Sequence, residues 1–142
     1  MNPLARFLTH PRVVGLCRIA IGLVFLAAAL AKIGDAATFA RQIHHFRLVP
    51  FGFENLLAIT LPWIELVLAL AILTGVQPRS GSMVAAGLMG LFVVVVAAAV
   101  ARGLDIECGC FGTADASRVG VSKLVENVGL LALAVVGGQP SR

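Results

Sequence analysis

The chain has 142 residues, 59% of them hydrophobic and only 13% charged, with a formal net charge of +4. So small a globule cannot hide that much apolar surface, which excludes the soluble classes and leaves lipid as the solvent that stabilises it. Tyrosine is absent and no basic strip carries interleaved aromatics, so the composition argues against a nucleic-acid partner.

The first apolar run, VVGLCRIAIGLVFLAAALAKIG at 13–34, suffices for one membrane pass, which takes about 20 helical residues at about 1.5 Å each. It is too long for a signal-peptide core and more such runs follow it, so it is expected to be retained. It carries Cys17, Arg18 and Lys32. In the loop at 35–55, Phe39, Ile43 and Phe46 recur at helical spacing opposite Arg41, Gln42 and His45. That pattern predicts a short helix lying at the membrane interface, ended by Pro50. The second pass, LLAITLPWIELVLALAILTG at 56–75, contains Pro62, Trp63 and Glu65. Proline removes a backbone donor there and can bend the helix toward the bundle centre.

A tight turn, TGVQPRSGS at 74–82, leads to the third pass, SMVAAGLMGLFVVVVAAAVARG at 82–103. Its Ala86 and Gly90 form a small-xxx-small pair that permits close contact within the bundle or in a homo-oligomer. The polar stretch LDIECGCFGTAD follows at 104–115, and then the least apolar pass, VGVSKLVENVGLLALAVVGG at 119–138. No run alternates with period two, as barrel strands would. The expectation is an all-α membrane protein: one transmembrane domain over 1–142, folded as a four-helix bundle with a short interfacial helix in the first loop.

Four passes put both termini on one side and the loops at 35–55 and 104–118 together on the other. Basic residues tie between the two sides: Arg6, Arg12, Arg79 and Arg142 against Arg41, Arg47, Arg102 and Arg118. The basic flank ahead of the first helix decides for cytoplasmic termini. The loop at 104–118 then faces outward, where thiols can be oxidised.

Ionisable groups within membrane runs are costly and usually face the interior with partners. Arg18, Lys32, Glu65, Lys123 and Glu126 are such groups, and Lys123 and Glu126 share a helix face. Glu65 admits two readings: a proton carrier for an acceptor such as quinone, or half of a buried ion pair with Arg18 or Lys32.

Cys108 and Cys110 flank Gly109 in the polar loop. Asp105, Glu107 and Asp115 disfavour thiolates there, whereas Arg102, Arg118 and the imidazoles of His44 and His45 favour them. A bridge across one residue constrains almost no chain, so a structural staple is a weak reading. Three readings stay open on the residues alone: redox exchange, inert thiols, and a zinc or copper site completed by His44 and His45. Cys17, near the opposite end of the first pass, reads as a small apolar packing residue.

Arg18 and LAKIG in the first pass, LPWIE in the second and ECGCFG after the third give the chain a familiar outline. It resembles the MauE-like and DoxX-like family of small bacterial membrane proteins, across nearly all four passes. The resemblance implies thiol–disulfide redox chemistry beside a thioredoxin-like or disulfide-containing extracytoplasmic partner, linked in some relatives to quinone. Cys108 and Cys110 would be the redox centres, set by Gly109, Phe111 and Gly112, with Arg18, Lys32, Pro62 and Glu65 as family positions. His44, His45 and Glu126 lie outside the resemblance. A non-catalytic membrane subunit or assembly factor is the competing reading, and no cofactor is specified by the residues themselves.

Overall fold

The computed structural model describes residues 2–47, 49–50, 52–103 and 120–140. Cys108, Gly109, Cys110, Phe111 and Gly112 lie outside the described residues. Among the described residues all regular structure is helical: α1 (Pro3–Leu8), α2 (Pro11–Gly34), α3 (Ala36–His45), α4 (Phe53–Thr74), α5 (Pro78–Ala101) and α6 (Val121–Gly137).

Helix starts follow local chemistry. Pro3, Pro11 and Pro78 stand in the first turns of α1, α2 and α5, where a missing N–H costs nothing and the fixed φ is already helical. Asn2 caps α1 by accepting from the Leu4 N–H, and Asp35 caps α3 by accepting from Thr38. The short α1 escaped the sequence reading, although Asn2-Pro3 is a helix-start signal. Gly75 closes α4 at φ 74°, in the left-handed region that favours glycine.

Among the described residues, three helices are long and apolar enough to cross a membrane: α2, α4 and α5. The fourth expected pass is α6, whose 17 residues are shorter than the other three. α2 packs on α4 and α6, and α5 packs on the same two, so the four helices run around a square. α4 carries α3 on its flank. The main core joins Ile21 and Phe25 of α2, Ala69 and Ile72 of α4, Ala85 and Met89 of α5, and Ala134 of α6. Close approach of α2 and α4 depends on Gly22, where an added Cβ would lie 2.8 Å from Leu73.

The outer surface is apolar. Leu23, Leu30, Ile59, Val67, Leu91, Val94 and Val125 are all exposed, as expected of side chains that meet lipid tails. Trp63 belongs to this outer face with 54% of its surface exposed, so it neither packs in the core nor walls an interior site.

The predicted loop helix is present as α3, but its apolar face meets protein. Phe39, Ala40 and Ile43 pack against Ala58 and Leu61 of α4. Gln42, read as part of the polar face, is buried. The helix stops at His45, and Arg47 takes a positive φ of 54° just beyond it, ahead of Pro50.

Candidate functional site

The bundle has a loop end, defined by α3, the close of α5 and the start of α6. Val96 and Val100 of α5 pack there with Leu124 of α6. The Arg102 guanidinium donates from Nη1 to the Phe46 carbonyl oxygen at 3.0 Å, tying the close of α5 to the close of α3. Gly103 and Gly120, the described residues on either side of 104–119, therefore both stand at the end that carries α3.

Beneath this end lies a buried charge centre. The Lys32 ammonium donates to both carboxylate oxygens of Glu65, at 2.8 and 3.1 Å, and the two side chains are 0% and 1% exposed. Its other sides meet aromatic faces, with ring centroids 5.0 Å away at Phe39 and 5.2 Å away at Phe92. One ammonium thus joins α2 to α4, α3 and α5. Of the two partners expected for Glu65, the fold selects Lys32. Both carboxylate oxygens are engaged by that ammonium, so Glu65 presents no free carboxylate to a quinone. The pairing favours the ion-pair reading of Glu65 over that of a proton carrier.

Arg18 does different work at the far end of α2. Its Nε donates to the Gly137 carbonyl oxygen at 2.7 Å and its Nη2 to that of Gln139 at 3.4 Å. Gly137 is the last residue of α6, where carbonyls lack intrahelical donors, and Gln139 lies just beyond the helix end. A cation there also complements the helix dipole.

In α6, Lys123 donates to Glu126 at 3.3 Å, as the i, i+3 spacing foretold. Lys123 faces inward, whereas the Glu126 side chain is 52% exposed on the flank of the helix. Glu126 is therefore a surface partner of Lys123 rather than an interior group. One turn on, the buried Asn127 donates from Nδ2 to the Lys123 carbonyl oxygen at 2.8 Å. Sequence reasoning missed Asn127, although its i+4 spacing from Lys123 put both on one inward face.

The histidine pair splits into unlike halves. His44 Nδ1 lies 2.9 Å from Glu54 Oε1, and Glu54 Oε2 accepts the Gly52 N–H at 2.7 Å. His45 sits 6.4 Å away between ring centroids, tilted by 57°. The described residues contain no group of three or more metal-ligating side chains, so the two histidines do not build a site from that part of the chain. Glu54 also escaped the sequence reading; its signal was an acid in the first turn of a helix directly after glycine.

Residues 10–139 match the family described as methylamine utilisation protein MauE. The chain belongs to the MauE family. It is 32% identical over 141 residues to the methylamine utilization protein MauE of Paracoccus denitrificans, covering 97% of this chain and 76% of that one. Its identity to the MauE protein of Methylorubrum extorquens is 34% over 131 residues, covering 92% and 70%. For that of Methylophilus methylotrophus it is 30% over 127 residues, covering 88% and 67%. No solved structure matches the chain.

Proposed function

We propose that this MauE-family chain is a multi-pass membrane protein of methylamine utilisation that exchanges disulfides with an extracytoplasmic partner. The methylamine-utilisation role named for its relatives supports the process, and three apolar helices support the membrane. The observation that carries the chemistry is the sequence Cys108-Gly109-Cys110, in the connection between α5 and α6. On this reading α6 is a fourth pass, the membrane is the bacterial inner membrane, and the termini are cytoplasmic. The loop end, with His44 and His45, then faces outward. The partner is thioredoxin-like or a disulfide-containing substrate.

Exchange needs only two thiols and a disulfide. One cysteine thiolate attacks a sulfur of the partner's disulfide; that S–S bond breaks, a mixed disulfide forms and the partner's other sulfur leaves as thiolate. The second cysteine then attacks the mixed disulfide, closing the Cys-Gly-Cys bridge and releasing the partner as a dithiol. The reverse sequence oxidises the partner. The short ring makes this bridge strained, and a strained bridge is a comparatively strong oxidant.

Trapping tests the proposal. Replacing Cys108 or Cys110 singly with serine removes the resolving thiol in one variant, so a mixed disulfide accumulates and runs as a heavier band on a non-reducing gel. If neither variant traps a partner and the double variant keeps full function, the thiols are incidental and the chain is a non-catalytic subunit.

A further inference from the structure

We propose that two copies of this chain pair through the outward face of α4, each Trp63 indole N–H donating to the partner subunit's Thr60 hydroxyl. That face is a single stripe along the helix. Leu56, Thr60, Trp63, Val67, Leu70 and Thr74 follow one another in alternating steps of four and three residues, and all are exposed. The opposite stripe, with Pro62, Glu65, Ala69 and Ile72, is buried in the protein's own bundle.

Depth makes Trp63 the unusual member. It stands midway along the 22 residues of α4, about 15 Å from either helix end and near the centre of a hydrocarbon core of about 30 Å. A lipid-facing indole favours the membrane interface, where its N–H meets water. Lipid tails at mid-depth offer no acceptor, and among the described residues none meets the Trp63 N–H. The outward sides of α2 and α5 carry no such donor: Leu16, Ile19 and Leu23, like Val84, Leu91 and Val94, are apolar.

An acceptor stands on the same stripe. The Thr60 hydroxyl donates to the Leu56 carbonyl oxygen of its own helix, which leaves the lone pairs of the Thr60 oxygen for a second donor. Thr60 precedes Trp63 by almost one turn, and helical side chains lean toward the N-terminus, so the indole reaches back to the level of Thr60. Copies of one chain insert in one orientation. A two-fold axis along the membrane normal therefore sets α4 beside α4, parallel and at equal depth. Each Trp63 then meets the partner subunit's Thr60, and both bonds form together, as a self-complementary surface requires. The β-branched set Thr60, Val67 and Thr74 alternates with Leu56, Trp63 and Leu70, a pattern that suits two parallel helices.

The test uses the full chain with Cys17, Cys108 and Cys110 replaced by serine and one new cysteine added at a time. In native membranes treated with copper phenanthroline, Leu56→Cys, Val67→Cys and Leu70→Cys should form disulfide-linked dimers, whereas Leu23→Cys and Val94→Cys should stay monomeric. Dimer bands no stronger at the α4 positions than at the other two overturn the proposal. The bond itself is tested by energy transfer between copies labelled at Pro140→Cys and diluted in liposomes. Trp63→Phe keeps a ring and drops the donor; Thr60→Val keeps the shape and drops the acceptor. Each should weaken dimerisation at least about fivefold, and the double variant should be no weaker than either single one. Thermal melts of these surface variants in detergent should match the parent. Unchanged dimerisation in Trp63→Phe, or losses that add in the double variant, overturn the Trp63–Thr60 bond. A parent chain that shows no energy transfer at any lipid ratio overturns the pairing of copies altogether.

Discussion

Lys32 carries its charge into a part of the bundle with no water-exposed surface, and what it meets there explains why the charge survives. Glu65 supplies two oxygens, and the Phe39 and Phe92 rings cover other directions. Neither partner can be removed alone without stranding a charge in a low-dielectric interior. Glu65→Gln is expected to destabilise the protein by roughly 3–5 kcal/mol. Replacing both members with methionine should recover most of that loss, because a well-packed apolar pair has no desolvation cost. Thermal melts of the three proteins in one detergent check both expectations. Arg18 stands in contrast, since its partners are backbone carbonyls that exist whatever the side chains do. Arg18→Met should cost about 1.5–3 kcal/mol, the worth of hydrogen bonds to a charged group, and no change at Glu65 should rescue it.

At the scale of elements, α3 is the helix whose stability is decided by its ends and its underside. The Thr38 hydroxyl donates to Asp35 at 2.8 Å and the Thr38 N–H donates at 3.2 Å, and these bonds hold the carboxyl below the usual carboxylate range. A group whose native pKa is depressed contributes fully above its unfolded value, about 3.9, and loses that contribution as pH falls through the lower native one. Amide exchange in α3, corrected for intrinsic rates, should stay protected down to about pH 4 and lose protection below it. Asp35→Ala should abolish this acid step and leave α3 less protected at neutral pH. The sequence announced α3 through the spacing of Phe39, Ile43 and Phe46, yet it did not say what the apolar face would meet. An amphipathic period looks the same against lipid and against Ala58 and Leu61 of α4. The burial of Gln42 follows from that substitution of protein for lipid. Partner choice was hidden for a related reason. Arg18 and Lys32 were equal candidates for Glu65 until the packing of α2 on α4 set their depths. The long helices were legible because apolar runs of 20 residues or more have few other uses, but their first turns were missed, at Pro11, Phe53 and Pro78.

For the whole molecule, α6 decides the topology. At about 1.5 Å per residue its 17 residues reach about 26 Å, a little less than a hydrocarbon core of about 30 Å. Two features nevertheless fit a crossing helix. Its inward face is polar and small, with Lys123, Asn127, Ala134 and Gly137 buried, while Val121, Val125, Val128 and Val135 are exposed. A membrane helix in a bundle shows this inversion, because lipid takes the apolar side and helix contact favours small or hydrogen-bonded residues. Arg18 also fastens the C-terminal end of α6 and the residues just after it to the first third of α2, at the end of the bundle away from α3. Both features predict that Pro140 shares a side of the membrane with Val76 and stands opposite Ala37. The check is a chain in which Cys17, Cys108 and Cys110 are serine and one new cysteine is introduced at a time: Ala37→Cys, Val76→Cys or Pro140→Cys. A membrane-impermeant maleimide applied to spheroplasts should label the first without permeabilisation and the other two only after it. Labelling of Pro140→Cys in intact spheroplasts together with Ala37→Cys would mean that α6 returns to the side it started from, leaving three passes. Labelling of Val76→Cys and Pro140→Cys but not Ala37→Cys would keep four passes and invert the orientation, turning the loop end and its cysteines toward the reducing cytoplasm, where a stable Cys108–Cys110 bridge is not expected.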